Sequence, residues 1–202
     1  METSNRVLDA LLREFSMPHV EERVPREVFY ELGLKFPQQY AMAARNVGEC
    51  VKRAEAVGAG PFLHVTIPAP NWVERGELIE DCKLEVALGY AGDRQIEFLG
   101  PGRGTEHYSR ALRDTDIAFH HVGIYQRGMN ELAANTTNAG HPEVVRGGVT
   151  LGKALPFDFR YFDSRDALGI YLEVQDFSYF GRELSIEPAL RGYAALKQRL
   201  HL

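Results

Sequence analysis

The amino-acid sequence predicts an α+β protein of two βαβββ modules, with a helical extension before them and a helix after them. Two observations support this fold class. Strand-like segments at 39–43 and 121–125 are each followed by a helical run, a Gly/Pro break and three further strand segments. In addition, the last strand of each unit carries a Glu between large apolar residues, at 96–98 and at 172–174. The chain therefore repeats one supersecondary unit.

The two units align with Gln39 on His121. In the first unit we expect a helix at 47–54, a break at Gly60-Pro61, and strands at 62–67, 82–90 and 94–99. In the second unit we expect a helix at 129–134, a break at 140–142, and strands at 144–151, 157–162 and 169–174, with a turn at 164–166. The first unit is about six residues longer, and the extra length lies in the Pro- and Asn-containing loop 68–72.

The remaining segments complete a five-part division of the chain. Residues 1–36 are a predicted helical extension, with one helix capped by Ser4 and another that follows Pro25 and ends at Gly33. We expect residues 37–100 to form module 1, residues 101–117 a linker that follows from the Gly- and Pro-rich stretch 100–104, and residues 118–176 module 2. Residues 177–202 are a tail with a predicted helix at 187–200.

Composition excludes several classes of function. The 202 residues carry a net charge of −5, so the chain lacks the basic surface that sequence-independent nucleic-acid binding requires. No apolar run approaches the ~20 residues of a membrane span. The first residues lack a basic head and an apolar segment, so we expect no secretory signal and a cytoplasmic protein. Cys50 and Cys82 form no CxxC pair and are expected to be reduced.

Alternation along 119–125 puts His121, Gly123 and Tyr125 on one face and His120, Val122 and Ile124 on the other. The two units carry polar residues at two pairs of equivalent positions. Gln39 is equivalent to His121, and Glu97 is equivalent to Glu173. The apolar neighbours of the two Glu residues point the other way, toward the predicted helices. A one-sided sheet always has a polar face, so this pattern alone fits either a solvated face or a ligand site.

The paired units resemble the vicinal oxygen chelate superfamily, which includes glyoxalase I, methylmalonyl-CoA epimerase, fosfomycin-modifying transferases and extradiol dioxygenases. The resemblance rests on His-Val-Gly-Ile at 121–124 and Tyr-Leu-Glu-Val at 171–174. Segments 39–41, 58–62, 108–110 and 161–165 are similar to a large glyoxalase-like subgroup, the glyoxalase-bleomycin resistance proteins. The match covers about 37–175 and implies the fold of this superfamily.

The resemblance implies a divalent-metal site whose ligands are Gln39, Glu97, His121 and Glu173. Gln at the first position is similar to the eukaryotic glyoxalase I set and differs from the two-His, one-Glu set of the dioxygenases and fosfomycin enzymes. The neighbouring Gln38 is an alternative, because a one-residue slip exchanges the faces of a strand. Three oxygen donors and one imidazole suit Zn, Ni, Co, Mn or Mg.

The implied function is a metal-dependent lyase or isomerase, either glyoxalase I-like or epimerase-like. It would abstract a proton next to a metal-chelated carbonyl through an enediolate-type intermediate. The resemblance gives the role of general base to Glu173. Glu97 could transfer the proton on the other face of the substrate, as an epimerase needs. Implied partners are a small carbonyl or thioester substrate and a second copy of the chain. The alternatives are a non-catalytic binding protein of this fold and, less favoured, an extradiol-type dioxygenase.

Other polar and aromatic residues are weighed against simpler structural roles. We expect His120 to pack behind the sheet or to cap a backbone group, and Tyr125 and Phe62 could line the pocket or the core. Four basic residues could bind a carboxylate or phosphate of the substrate, although solvated surface charge is the simpler expectation. They are Arg110, Lys153, Arg160 and Arg165. The remaining histidines, His19, His64, His107 and His141, match no ligand position.

Overall fold

The computed structural model describes residues 26–92, 94–151, 155–179, 182–183 and 187–200. The elements of the first half are α1 (Arg26–Glu31), β1 (Gln39–Ala44), α2 (Val47–Ala56), β2 (Leu63–Pro68), β3 (Val73–Glu74), β4 (Glu77–Leu78), β5 (Lys83–Ala91) and β6 (Arg94–Leu99). Those of the second half are α3 (Ser109–Leu112), β7 (Ile117–Tyr125), α4 (Met129–Asn138), β8 (Glu143–Leu151), β9 (Leu155–Ser164), α5 (Arg165–Leu168), β10 (Ile170–Asp176), β11 (Ser178–Tyr179), β12 (Arg182–Glu183) and α6 (Glu187–Leu200).

Ten strands form one curled mixed sheet in the order β2-β5-β6-β1-β7-β10-β9-β8-β3-β4. The first and last strands of each module are parallel neighbours, as β1–β6 and as β7–β10, and the other pairings are antiparallel. The two modules join where β1 pairs antiparallel with β7. The predicted α+β fold of two βαβββ modules is confirmed, and the modules pair within one chain.

The strand register relates the two modules by an approximate two-fold axis. On β1, Ala41 lies opposite Glu97 on one side and His121 on the other. On β7, Gly123 lies opposite Glu173 and Gln39 in the same way. When Gln39 is aligned on His121, Ala41 is aligned on Gly123. The partners of these two residues are then also equivalent, Glu97 with Glu173 and His121 with Gln39.

The sheet separates two groups of buried apolar residues. On its outer face, Val51 of α2 and Leu132 of α4 pack against strand residues such as Ile96 and Leu172. These strand residues are the apolar neighbours of Glu97 and Glu173, and their predicted direction toward the helices is confirmed. On its inner face lies a second group, the inner cluster, which contains Trp72, Tyr108, Phe159, Tyr161 and Tyr171 among others.

Three local predictions require correction or fall outside the structure. No strand is predicted between loop 68–72 and residue 82, but this segment forms the hairpin β3–β4. Because β3 pairs with β8, these two strands of module 1 extend the part of the sheet that module 2 forms. The turn predicted at 164–166 begins the short helix α5. The helix predicted after Ser4 lies outside the described residues, whereas α1 follows Pro25 and the chain turns at Gly33 with a φ of +70°.

The C-terminal helix runs over Glu187–Leu200 as predicted, and its Leu190 packs into the inner cluster. Within the described part of the chain, every helix is too short or too polar to span a membrane.

Candidate metal centre

The four predicted ligand positions meet on the inner face of the four central strands. Gln39 comes from β1, Glu97 from β6, His121 from β7 and Glu173 from β10. Their side chains are almost wholly withdrawn from solvent, with residue exposures of 1%, 7%, 0% and 4%. Because buried carboxylates are costly unless they are paired or bind a cation, this burial argues against a merely solvated polar face.

Glu97, His121 and Glu173 offer ligand atoms that all lie within 4.8 Å of one another, and we call these residues the triad. The His121 Nε2 atom lies 2.9 Å from Glu173 Oε2 and 3.3 Å from Glu97 Oε2. Equivalent strand positions in the two modules thus bring two carboxylates onto one imidazole nitrogen.

The triad atoms are close together but poorly aligned for hydrogen bonds. Neither His121 Nε2 nor Glu97 Oε2 has a hydrogen-bond partner among the described residues, although both atoms are buried. A buried polar atom without a partner costs about 1–3 kcal/mol, so such atoms are uncommon without a reason. Lone pairs that converge on one point suit a cation, and two carboxylates with an imidazole are donors that Zn²⁺ and similar divalent ions accept. The residues present therefore fit a divalent metal.

The electrostatics of the triad favour a positive charge between its two carboxylates. Burial raises the pKa of the Glu97 carboxyl to about 7, and the neighbouring Glu173 carboxylate adds to this effect. Burial would lower the pKa of His121, but the Glu173 and Glu97 carboxylates outweigh it and raise that pKa to about 9. A proton on His121 thus supplies part of the positive charge that the two carboxylates attract.

Gln39 lies beside the triad in a network of buried amides. Its Nε2 donates to Gln95 Oε1 at 2.8 Å, and its Oε1 accepts from Gln175 Nε2 at 2.8 Å. Gln175 Nε2 also donates to Glu173 Oε2, so one amide connects Gln39 to the triad. Gly123 makes this position possible, because a Cβ there would lie 2.9 Å from Gln39 Cβ and overlap the Gln39 amide oxygen.

The alternative ligand Gln38 is turned away from this network. Its Oε1 accepts from the backbone N–H of Tyr125 at 2.9 Å, and its amide nitrogen donates to the carbonyl of Phe36. The strand register therefore places Gln39 rather than Gln38 beside the triad.

The face predicted for His120 is wrong. The pairing of β1 with β7 matches Ala41 with His121 and then Met42 with Phe119, so His120 is the extra residue of a β-bulge. The bulge turns His120 to the inner face, where it is 2% exposed and its Nδ1 lies 2.9 Å from His121 Nδ1. Burial lowers the pKa of His120 well below its usual value, so the ring is neutral. Its Nε2 also lies 3.4 Å from the His107 carbonyl, which agrees with the predicted backbone cap.

The cavity next to the triad is small and largely apolar. Its volume is about 40 Å³. The lining includes Gln39, Glu97 and Glu173, together with inner-cluster residues such as Phe159 and Tyr161. Phe62 packs on the outer face and is a core residue, whereas Tyr125 donates a hydrogen bond to Gln95 and packs edge-on against Phe177. A space of this size holds an ion and a few waters, so a larger ligand would enter only if the inner cluster opened.

The basic residues considered as substrate contacts lie elsewhere. Arg110 pairs with Glu74 at 2.7 Å, Arg160 with Glu143 at 2.8 Å, and Arg165 with Asp163 at 2.7 Å. Lys153 and His19 lie outside the described residues. The described lining of the cavity contains neither Arg nor Lys. A charged group of the substrate would therefore find no basic side chain there.

The other histidines stay outside the triad, but they are not all surface residues. His64 lies 3.0 Å from Glu85 on the edge of module 1, whereas His107 and His141 are buried. Burial lowers the pKa of His107 to about 3, and its ring packs against His120 and Tyr161.

Sequence reasoning missed the two outer amides of the network, Gln95 and Gln175. Each lies two residues from a triad Glu on the same strand, and residues two apart share a face. That spacing could have identified both. Sequence reasoning also missed Tyr108 and Tyr161, whose hydroxyls lie 3.1 Å apart beside the site. Tyr108 precedes the short helix α3 and Tyr161 lies on β9, so no local pattern connects the two residues.

No family model matches the sequence, and no curated protein matches it. Solved structures do match. A methylmalonyl-CoA epimerase in complex with methylmalonyl-CoA and NH4+ has a TM-score of 0.52 at 14% identity, over 75% of this chain and 99% of its own. A Streptomyces coelicolor methylmalonyl-CoA epimerase variant in complex with 2-nitronate-propionyl-CoA has a TM-score of 0.52 at 15% identity, over 75% of this chain and 99% of its own. The hypothetical protein BH1468 from Bacillus halodurans has a TM-score of 0.50 at 13% identity, over 73% and 98%. These likenesses show that the chain has the vicinal oxygen chelate fold.

Proposed function

We propose that this protein is a divalent-metal-dependent lyase or isomerase that abstracts a proton next to a carbonyl group. The observation that supports the proposal is the convergence of the triad, in which His121 Nε2 and Glu97 Oε2 are buried, close together and without a hydrogen-bond partner among the residues that the structure describes. His121, Glu97 and Glu173 would hold the metal, with Gln39 as the fourth ligand. A bound divalent ion supplies Lewis-acid stabilisation of the negative charge that develops on a carbonyl oxygen.

The chain's own residues provide the proton-transfer groups. Glu173 is the proposed general base, and Gln175 Nε2 donates a hydrogen bond to its Oε2, which orients the carboxylate. Glu97 Oε2 lies 3.3 Å from the His121 Nε2 atom that Glu173 also approaches, and its proposed role is to exchange a proton on the opposite face of a bound substrate. Two carboxylates at one centre suit an epimerase, and a single active base suits a glyoxalase I-like lyase.

The lining of the cavity limits the substrate class. The reacting end should present neighbouring oxygen atoms toward the triad, as a hemithioacetal does, or a 2-substituted acyl thioester whose substituent carries an oxygen. The groups around that end should be uncharged and apolar, because the described lining carries no basic side chain. A homodimer and a cytoplasmic location remain predictions.

The first test is the metal content of the purified protein by elemental mass spectrometry. We expect about one divalent ion per chain, lost in His121→Ala. The matched control is His64→Ala, which removes a half-exposed histidine on the rim of module 1 and should retain the ion. No metal in the native protein, and none taken up from Zn, Ni, Co or Mn, would refute the proposal.

The second test follows exchange of the substrate's acidic C–H with deuterated water by NMR, using a hemithioacetal and a 2-hydroxyacyl thioester, both of which carry two neighbouring oxygen atoms. Glu173→Gln should lower the exchange rate by a factor of about 10²–10⁴, the usual contribution of a positioned base. Ligand binding without exchange in the metal-loaded wild type would favour the alternative of a non-catalytic binding protein.

A further inference from the structure

The two adjacent histidines of β7 lie side by side on the inner face, which strand alternation forbids. The β-bulge opposite Ala41 and Met42 makes this arrangement possible, since it inserts His120 as the unpaired residue. The His120 Nδ1 and His121 Nδ1 atoms lie 2.9 Å apart, a normal hydrogen-bond distance, so one ring donates and the other accepts.

The triad decides which ring is the donor. His121 Nε2 faces the carboxylates of Glu97 and Glu173, and a nitrogen that binds a metal must offer its lone pair. The single proton of a neutral His121 is then on Nδ1, so His121 donates and His120 Nδ1 accepts. The proton of His120 is consequently on its Nε2, which points to the backbone carbonyl of His107 at 3.4 Å.

Packing holds the His120 ring in this orientation. It stacks on Tyr171 with ring centres 4.8 Å apart and an interplanar angle of 24°. Tyr108 and His107 contact its edges or faces at centre distances of 5.1 and 4.8 Å. A ring clamped on several sides by other rings has few rotamers available, so its accepting nitrogen stays aimed at His121.

We propose that His120 is a positioning residue: its Nδ1 accepts the Nδ1–H of His121 and fixes the tautomer that presents His121 Nε2 to a metal. This inference rests on the proposed metal-dependent function and deepens it. Partners that hold the second nitrogen of a ligating histidine commonly change metal affinity about 10–100-fold when they are removed. Here that partner is the preceding residue in the chain, made available only by the bulge.

The test is zinc affinity, measured by competition with a chromophoric chelator, in wild type, His120→Leu and His120→Asn. Leu keeps an apolar side chain of moderate size but cannot accept a hydrogen bond, so zinc binding should weaken about 10–100-fold. Asn places an acceptor oxygen near the Nδ1 position and should restore the affinity to within about threefold, a loss below ~1 kcal/mol. The control is His141→Leu, which replaces a buried histidine that belongs neither to the triad nor to the rings around His120, and its zinc affinity should match that of wild type.

A second readout is the tautomer of His121 in the zinc-loaded protein, from long-range ¹H–¹⁵N NMR correlations. We expect the proton on Nδ1 in wild type and in His120→Asn, and faster exchange of that proton with solvent in His120→Leu. Zinc affinity in His120→Leu equal to that of wild type, or a proton on Nε2, would overturn the role of His120 while leaving the metal site intact. Absence of zinc binding in wild type would instead refute the proposed function, and this inference with it.

Discussion

Substitution of Gly123 by Ala tests whether the amide network of the site is built as the structure shows. The added Cβ would overlap the Gln39 amide oxygen and lie 2.9 Å from Gln39 Cβ, well inside the ~3.5–4.0 Å of an ordinary carbon–carbon contact. Gln39 is 1% exposed, so its side chain can move only within the buried cavity of about 40 Å³ that it lines.

The magnitude follows from two contributions. Overpacking a well-filled interior costs about 1–3 kcal/mol. A displaced Gln39 amide would also lose its hydrogen bonds to Gln95 and Gln175, at about 1 kcal/mol each. We therefore expect Gly123→Ala to lower the free energy of unfolding by about 3–5 kcal/mol.

Urea unfolding followed by tryptophan fluorescence measures this loss directly. The chain has a single tryptophan, Trp72, which is fully buried in the inner cluster and reports on the site face. The matched control is Gly192→Ala on the exposed side of α6, where an added Cβ meets nothing within 4 Å. That variant should be unchanged or stabilised by up to about 1 kcal/mol, because Ala is a better helix former than Gly.

A double variant separates the clash with the Gln39 amide from the 2.9 Å contact with the Cβ of position 39, which an alanine there retains. In Gln39→Ala the amide is absent, so adding Gly123→Ala should cost at least about 1 kcal/mol less than it does in wild type. Gly123→Ala within about 0.5 kcal/mol of wild type, or strictly additive variants, would refute the reasoning about this position.

The remaining predictions concern protons at the triad. In the metal-free chain the pKa of His121 is raised to about 9 and that of Glu97 to about 7, so a cation must displace protons from both at pH 6. Zinc affinity should thus rise from pH 6 to pH 8, with proton release detectable by calorimetry in buffers of different ionisation enthalpy; affinity independent of pH would contradict this. The folded-state pKa of Glu97 lies above its ordinary value of 4.5, so its ionisation destabilises the metal-free fold as pH rises from 4.5 through 7. Metal-free Glu97→Gln should therefore resist urea better than wild type at pH 8, with a smaller difference at pH 5. A larger difference at pH 5 than at pH 8 would contradict the expected destabilisation by the ionised Glu97.

The amino-acid sequence alone determined the repeated architecture and the four positions that meet at the site. Alternation has a period of two, so a Gln, a His and two Glu at matching places in two copies must share a face once the copies pair. The strand pairing bears this out, since Ala41 and Gly123 exchange equivalent partners.

Only the tertiary structure decided the surroundings of those four positions. The place of His120 depends on a bulge, which arises from the pairing of two strands about 80 residues apart and leaves no mark in the local pattern. Loop 68–72 leads into a hairpin that joins the other module, and Tyr108 and Tyr161 meet from distant segments. Local sequence encodes which face a residue takes on a regular strand. Register shifts and contacts between distant segments depend on how side chains pack over the whole sheet. This packing exists only in the folded chain, so a local stretch of sequence does not reveal it.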